Sequence, residues 1–181
     1  MHRYVALLRG IAPSGKNMTN DKLRGVFDGL GFANVRSVLA SGNITFSTAD
    51  ADVPSLEQRI EEALASGLGV ASRTIIREYP ELRRLLDSEP FPGLTHGPVT
   101  YLTATFLKNP ATVRHVVPEQ PDGRTRVVRY DRVARAVLAV TDNSDPGDTS
   151  SFMSWLEKSY GRDITTRSWL TVQRVVKKLE S

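Results

Sequence analysis

From Tyr4 to Ile76 the hydrophobic pattern switches between strand and helix periods in the order strand, helix, strand, strand, helix, strand. Few folds accommodate that order. Tyr4 to Leu8 is a β-prone run, and the loop Arg9-Gly10-Ile11-Ala12-Pro13-Ser14-Gly15-Lys16-Asn17 that follows is broken by glycine and proline. Leu23, Val26, Phe27 and Leu30 recur at i, i+3, i+4 and i+7, with Thr19 or Asn20 as N-cap and Gly31 as left-handed C-cap, so the spacing predicts an amphipathic helix. Val35 to Ala40 and Asn43 to Ser47 predict a hairpin around Ser41-Gly42. Pro54 and Ser55 open a second helix with Leu56, Ile60, Ala63 and Leu64 on one face, Gly67 and Gly69 close it, and Val70 to Ile76 reads as a further strand.

The βαββαβ order is met by the ferredoxin-like unit, or α/β plait, in which two right-handed crossovers lay both helices on one face of a four-stranded antiparallel sheet. Tyr79 to Leu86 suggests a short extra helix, and the proline- and glycine-rich stretch from Ser88 to Pro98 predicts a boundary. Beyond it, Val99 to Leu107 reads as a strand, Arg124 to Tyr130 with Ala134 to Val140 as a hairpin, and Thr149 to Tyr160 and Ser168 to Leu179 as helices. In the last of these Trp169, Val172, Val175, Val176 and Leu179 fall on the inward face. The expected class is therefore α+β, as two plait domains, residues 1–90 and 98–181, each with a mainly antiparallel sheet and helices packed on one face. No residue-level repeat between the halves is visible.

Composition narrows the chemistry. With no cysteine among 181 residues there is no disulfide, thiolate metal cage or thiol nucleophile, which together with the short, arginine-terminated apolar run at the start leads to the expectation of a cytoplasmic protein without a membrane segment. The net charge of +4 leaves anionic partners, nucleic acid included, open. His2, His96 and His115 lack metal-ligand spacing, and Asp142, Asp145 and Asp148 stand three apart where a calcium loop needs acids at alternate positions, so neither metal nor cofactor is expected. No nucleophile-elbow context occurs, and whether the chain is an enzyme is left open.

In a plait the loop after strand 1 and the tip of the strand 2/strand 3 hairpin emerge at the same end of the sheet. That would gather Arg9, Gly10, Gly15, Lys16 and Asn17 with Ser41 and Asn43, a set of cations, amides and glycine-freed N–H groups suited to a small anionic or phosphorylated ligand. Gly10, Gly15 and Lys16 stand at P-loop spacing, but Asn17 replaces the magnesium-binding hydroxyl and a plait is not the sheet of P-loop NTPases. The same residues also suit a simple tight turn with Asn17 as a cap. Near the end, Thr165-Thr166-Arg167-Ser168 precedes the final helix, with hydroxyl capping as one role and Arg167 as an anion contact as the other. Two competing readings are RNA binding, common among plaits but here without an RNP1-like pattern, and a scaffold role with self-association to a homodimer through edge strands.

Ala6-Leu7-Leu8-Arg9-Gly10-Ile11 with Gly15-Lys16-Asn17, Leu30-Gly31-Phe32 with Asn34-Val35, and Ser41-Gly42-Asn43 with Phe46 resemble a bacterial family known as domain of unknown function 1697 (DUF1697). Leu156-Glu157-Lys158 and Thr165-Thr166-Arg167 with Trp169 and Thr171 are similar to its C-terminal pattern. The resemblance implies two plait-like domains and no assigned reaction. Where the family carries Asn-Val-Gly-Gly, this chain has Ala12-Pro13-Ser14-Gly15, and the family's Arg-Asn-Trp-Asn is Arg167-Ser168-Trp169-Leu170.

Overall fold

The computed structural model describes residues 1–109, 121–145 and 151–181, and the expectations placed on His115, Asp148, Thr149 and Ser150 lie outside these. By internal contacts the chain divides into two compact units, Met1–Leu82 with Gln173–Ser181, and Arg83–Val172. The proline- and glycine-rich stretch read as a boundary lies inside the second unit.

The first unit follows the predicted element order: β1 (His2–Leu8), α1 (Asn20–Gly29), β2 (Ala33–Ser37), β3 (Asn43–Thr48), α2 (Val53–Leu68), β4 (Thr74–Glu78) and the start of α3 (Tyr79–Asp87). Its sheet runs β2-β3-β1-β4 with every neighbour antiparallel. Thr19 caps α1 and Asp52 caps α2, each through a side-chain oxygen, and Gly69 ends α2 in the left-handed conformation at φ 67°. Tyr4, Ala6 and Leu8 of β1 alternate onto the face that packs Leu23 and Phe27 of α1 and Leu56, Ile60 and Leu64 of α2. Each leucine, isoleucine and phenylalanine among them contributes about 2 kcal/mol by leaving water. Phe46 joins them from β3, its ring 4.5 Å from that of Phe32.

The fourth strand begins at Thr74, four residues later than its expected start at Val70, because Val70 is spent on the core after α2 while its N–H bonds to Leu64 O. β4 is an edge strand, and its outward-facing N–H groups are all covered by carboxylates. Thr74 N–H donates to Glu61 at 2.8 Å, Ile76 N–H to Glu57 at 2.9 Å and Glu78 N–H to Glu81 at 2.6 Å. Blocked donors of this kind keep an edge from templating another strand.

The second unit contains β5 (Thr100–Leu107), β6 (Thr125–Asp131), β7 (Ala136–Asp142), α4 (Phe152–Tyr160), β8 (Ile164–Ser168) and the start of α5 (Trp169–Glu180), with the remainder of α3. The strand β8 replaces the capping segment expected at Thr165–Ser168; only Ser168 keeps that role, its hydroxyl accepting from Thr171 N–H. The sheet order β6-β7-β5-β8 repeats that of the first unit. The repetition extends to register. Leu7 pairs with Asn43 as Phe106 pairs with Ala136, and Leu8 with Thr74 as Leu107 with Ile164. The two halves are thus built on one pattern of backbone pairing although their sequences show no alignment-grade repeat.

Candidate functional site

At the end of β1 the backbone is clamped from both sides. Leu8 N–H donates to Gly42 O and Arg9 N–H to Arg73 O, each at 2.8 Å, while Ser72 Oγ donates to Arg9 O. Gly42 sits at φ 75°, and a Cβ there would lie 2.8 Å from Ile11 Cγ1 and 3.0 Å from Leu8 Cβ. The hairpin tip and the loop after β1 therefore touch, through a glycine that no side-chain-bearing residue could replace without displacement. Asn20 ties the start of α1 to the same hairpin, its amide donating to Leu39 O at 2.9 Å.

Inside the loop, Gly15 N–H bonds to Ala12 O and Met18 N–H to Gly15 O, and a Cβ on Gly15 would run into the Met18 sulfur. Asn17, at φ 61°, donates its amide to Leu68 O at the end of α2 and accepts from Lys22 Nζ at 2.7 Å. Asn43 is fully buried and donates to Val38 O and to Ser41 Oγ. Both amides are thus engaged within the protein and hold the turns in shape. Exposed at this edge are Lys16, which has no partner among the described residues, Gly10 and Ser41, and Arg9 is half-buried.

Arg167 belongs to the second unit, and the other seven predicted residues belong to the first. On β8 its guanidinium donates to Thr165 Oγ1 at 2.7 Å and Thr166 O at 2.9 Å. Burial among protein atoms pushes its pKa down to about 10, which leaves it cationic at neutral pH. Its counterpart by register was missed in the sequence. Arg77 pairs with Val5 as Arg167 pairs with Ala104, is fully buried, and donates to the carbonyl of its preceding residue, Ile76, at 2.7 Å. The signal was present as Arg77-Glu78-Tyr79 and Arg167-Ser168-Trp169, an arginine two positions before the aromatic that opens a helix. Repetition of a buried arginine at one register position makes it part of the building plan of each half.

Residues 1–134 match the family described as "Protein of unknown function (DUF1697)". The chain belongs to the DUF1697 family. No curated protein matches it. Among solved structures it is similar to conserved bacterial protein SP0830 from Streptococcus pneumoniae, at 19% identity and a TM-score of 0.73 over 100% of this chain and 99% of that one. At that identity the likeness speaks for the fold, which this DUF1697 chain shares from end to end. Among the described residues no helix is long and apolar enough to cross a membrane.

Proposed function

We propose that this DUF1697 protein is built of two ferredoxin-like units and that the first binds a small anionic ligand of the phosphate class where the β1–α1 loop meets the β2–β3 hairpin. The sheet orders and the antiparallel pairing support the plait reading. The observation that supports the ligand reading is the packing of Gly42 on Ile11 and Leu8, which holds the hairpin tip that carries Ser41 against the loop that carries Arg9 and Lys16. Cations beside a helix start favour an anion through charge and exposed donors together. Asn17 and Asn43 act in this proposal by shaping the turns rather than by touching the ligand. Recognition of single-stranded RNA rests on base stacking, for which Tyr4 and Phe46 of this sheet, each 1% exposed, are not offered.

Thermal-shift measurements with inorganic phosphate, nucleotides and sugar phosphates test the proposal. At least one of these raises the melting temperature in a concentration-dependent way, and Arg9→Ala with Lys16→Ala removes the gain. A panel in which no anion stabilises the protein rejects it.

A further inference from the structure

At the opposite end of the first sheet, on the face away from α1 and α2, a cleft of about 190 Å³ opens between the strands and the last turn of α5. We infer that it is a second anion site, distinct from the loop edge, which accepts a small dianion such as phosphate or a phosphomonoester. Arg3 of β1, Arg36 of β2 and Lys178 of α5 line it, while Glu180 is the only acidic side chain among the lining residues and takes the Tyr79 hydroxyl at 3.3 Å. The three cations outnumber the two carboxylates at the cleft, the Glu180 side chain and the Ser181 main-chain carboxylate, and a bound dianion offsets the positive surplus.

The cationic heads are held in place without being used up. Arg3 lies over the Tyr79 ring, 4.1 Å from its centre, and donates one guanidinium N–H to Leu179 O at 2.7 Å. Arg36 donates one to Ser181 Oγ at 3.0 Å. Most of the donors on each guanidinium fork stay unspent, and Lys178 Nζ has no partner among the described residues. Thr45 and Ser47 put hydroxyls on the cleft floor; Thr45 Oγ1 donates to Arg36 O, and Ser47 Oγ accepts from the Asn34 amide at 3.4 Å.

The backbone of β2 is also bent to the purpose. Its pairing with β3 slips between Ala33 and Arg36, and Asn34 in that interval takes a left-handed φ of 53°. An irregularity of this kind re-aims side chains, and here those of Asn34 and Arg36 line the cleft. The volume suits a phosphate with a small substituent. The competing account is that Arg3 and Arg36 merely dock the end of α5. That account explains Arg3, whose contact is with a helix carbonyl, but gives Lys178 no task.

Titration of the full chain with inorganic phosphate, followed residue by residue through backbone amide NMR shifts, decides between them. Saturable movement of the amides of Asn34 to Ser37 and Thr45 to Ser47 is expected. Arg36→Gln with Lys178→Gln should weaken it at least tenfold, and Arg36→Lys with unchanged Lys178 should keep most of it. Arg9→Ala with Lys16→Ala should leave it as it is. Amides at the cleft that do not move, or that move equally in the glutamine variant, overturn the inference, whether or not residues 9–17 and 41–43 respond. Unchanged far-UV circular dichroism shows that each variant is folded.

Discussion

Replacing Glu57 by alanine tests the energetic reading of the first unit at one buried residue. Glu57 is 5% exposed, and its Oε1 accepts from the N–H of Ile76, itself 0% exposed, on the outer edge of β4. Truncation leaves a buried donor without its acceptor, which costs about 1–3 kcal/mol, toward the upper end because the lost acceptor is a carboxylate. At the Ile76 bond, Glu57→Gln retains a carbonyl oxygen and loses the charge-assisted part, about 1 kcal/mol. For a chain of this length 1 kcal/mol moves the melting temperature by roughly 2–4 °C, so the alanine variant should melt about 4–12 °C lower and the glutamine variant about 2–4 °C lower. Glu62, on the exposed side of the same helix, is the control, and Glu62→Ala should stay within about 0.5 kcal/mol of the parent. Hydrogen exchange localises the effect: a loss of about 2 kcal/mol in local opening speeds exchange of the Ile76 amide on the order of 30-fold. The reasoning is refuted if Glu57→Ala is no more harmful than Glu62→Ala, or if the Ile76 amide exchanges at its parental rate. With Glu61→Ala added, Thr74 N–H is also uncovered, and light scattering should report association through the freed edge.

Gly42→Ala should cost about 2 kcal/mol, since it combines a left-handed backbone with a Cβ driven against Ile11 and Leu8; a urea midpoint equal to that of the parent would show that the hairpin tip and the loop are not in fixed contact. Asp142 is hydrogen-bonded by Ser144 and its carboxyl is held below the ordinary 3.8. Its contribution is therefore present above the unfolded-state value and is lost as pH falls through the depressed one, so Asp142→Asn should lower stability at neutral pH by the same amount that it removes from the acid limb and leave stability below both values little changed; an unaltered acid limb counts against it.

The element order and most helix ends of the first unit were legible in the chain because they are local. Leu23 and Phe27, or Leu56, Ile60 and Leu64, announce their helix face by spacing alone, and Gly69 announces a helix end because only a residue tolerant of positive φ can stand there. Packing pairs of such elements leaves few sheet orders, and the observed ones are among them. The late start of β4 and the strand β8 were less legible, since Val70 is apolar in a core turn as in a strand, and Thr165 to Ser168 suits a cap as well as a ladder.

The fate of polar side chains was decided by tertiary structure alone. Asn17 and Asn43 present the same amide in the sequence whether they meet a ligand or a backbone carbonyl, and only the arrival of Leu68 O and Val38 O beside them settles it. Likewise Glu57 reads as one more solvated helix carboxylate until β4 is laid alongside, and Arg77 as an edge-strand charge until it is found fully buried. Hydrophobic periodicity is a property of neighbours along the chain, so the sequence determines it by itself. A hydrogen bond between groups tens of residues apart exists only once the chain has closed on itself, and that is where the chemistry of this protein was decided.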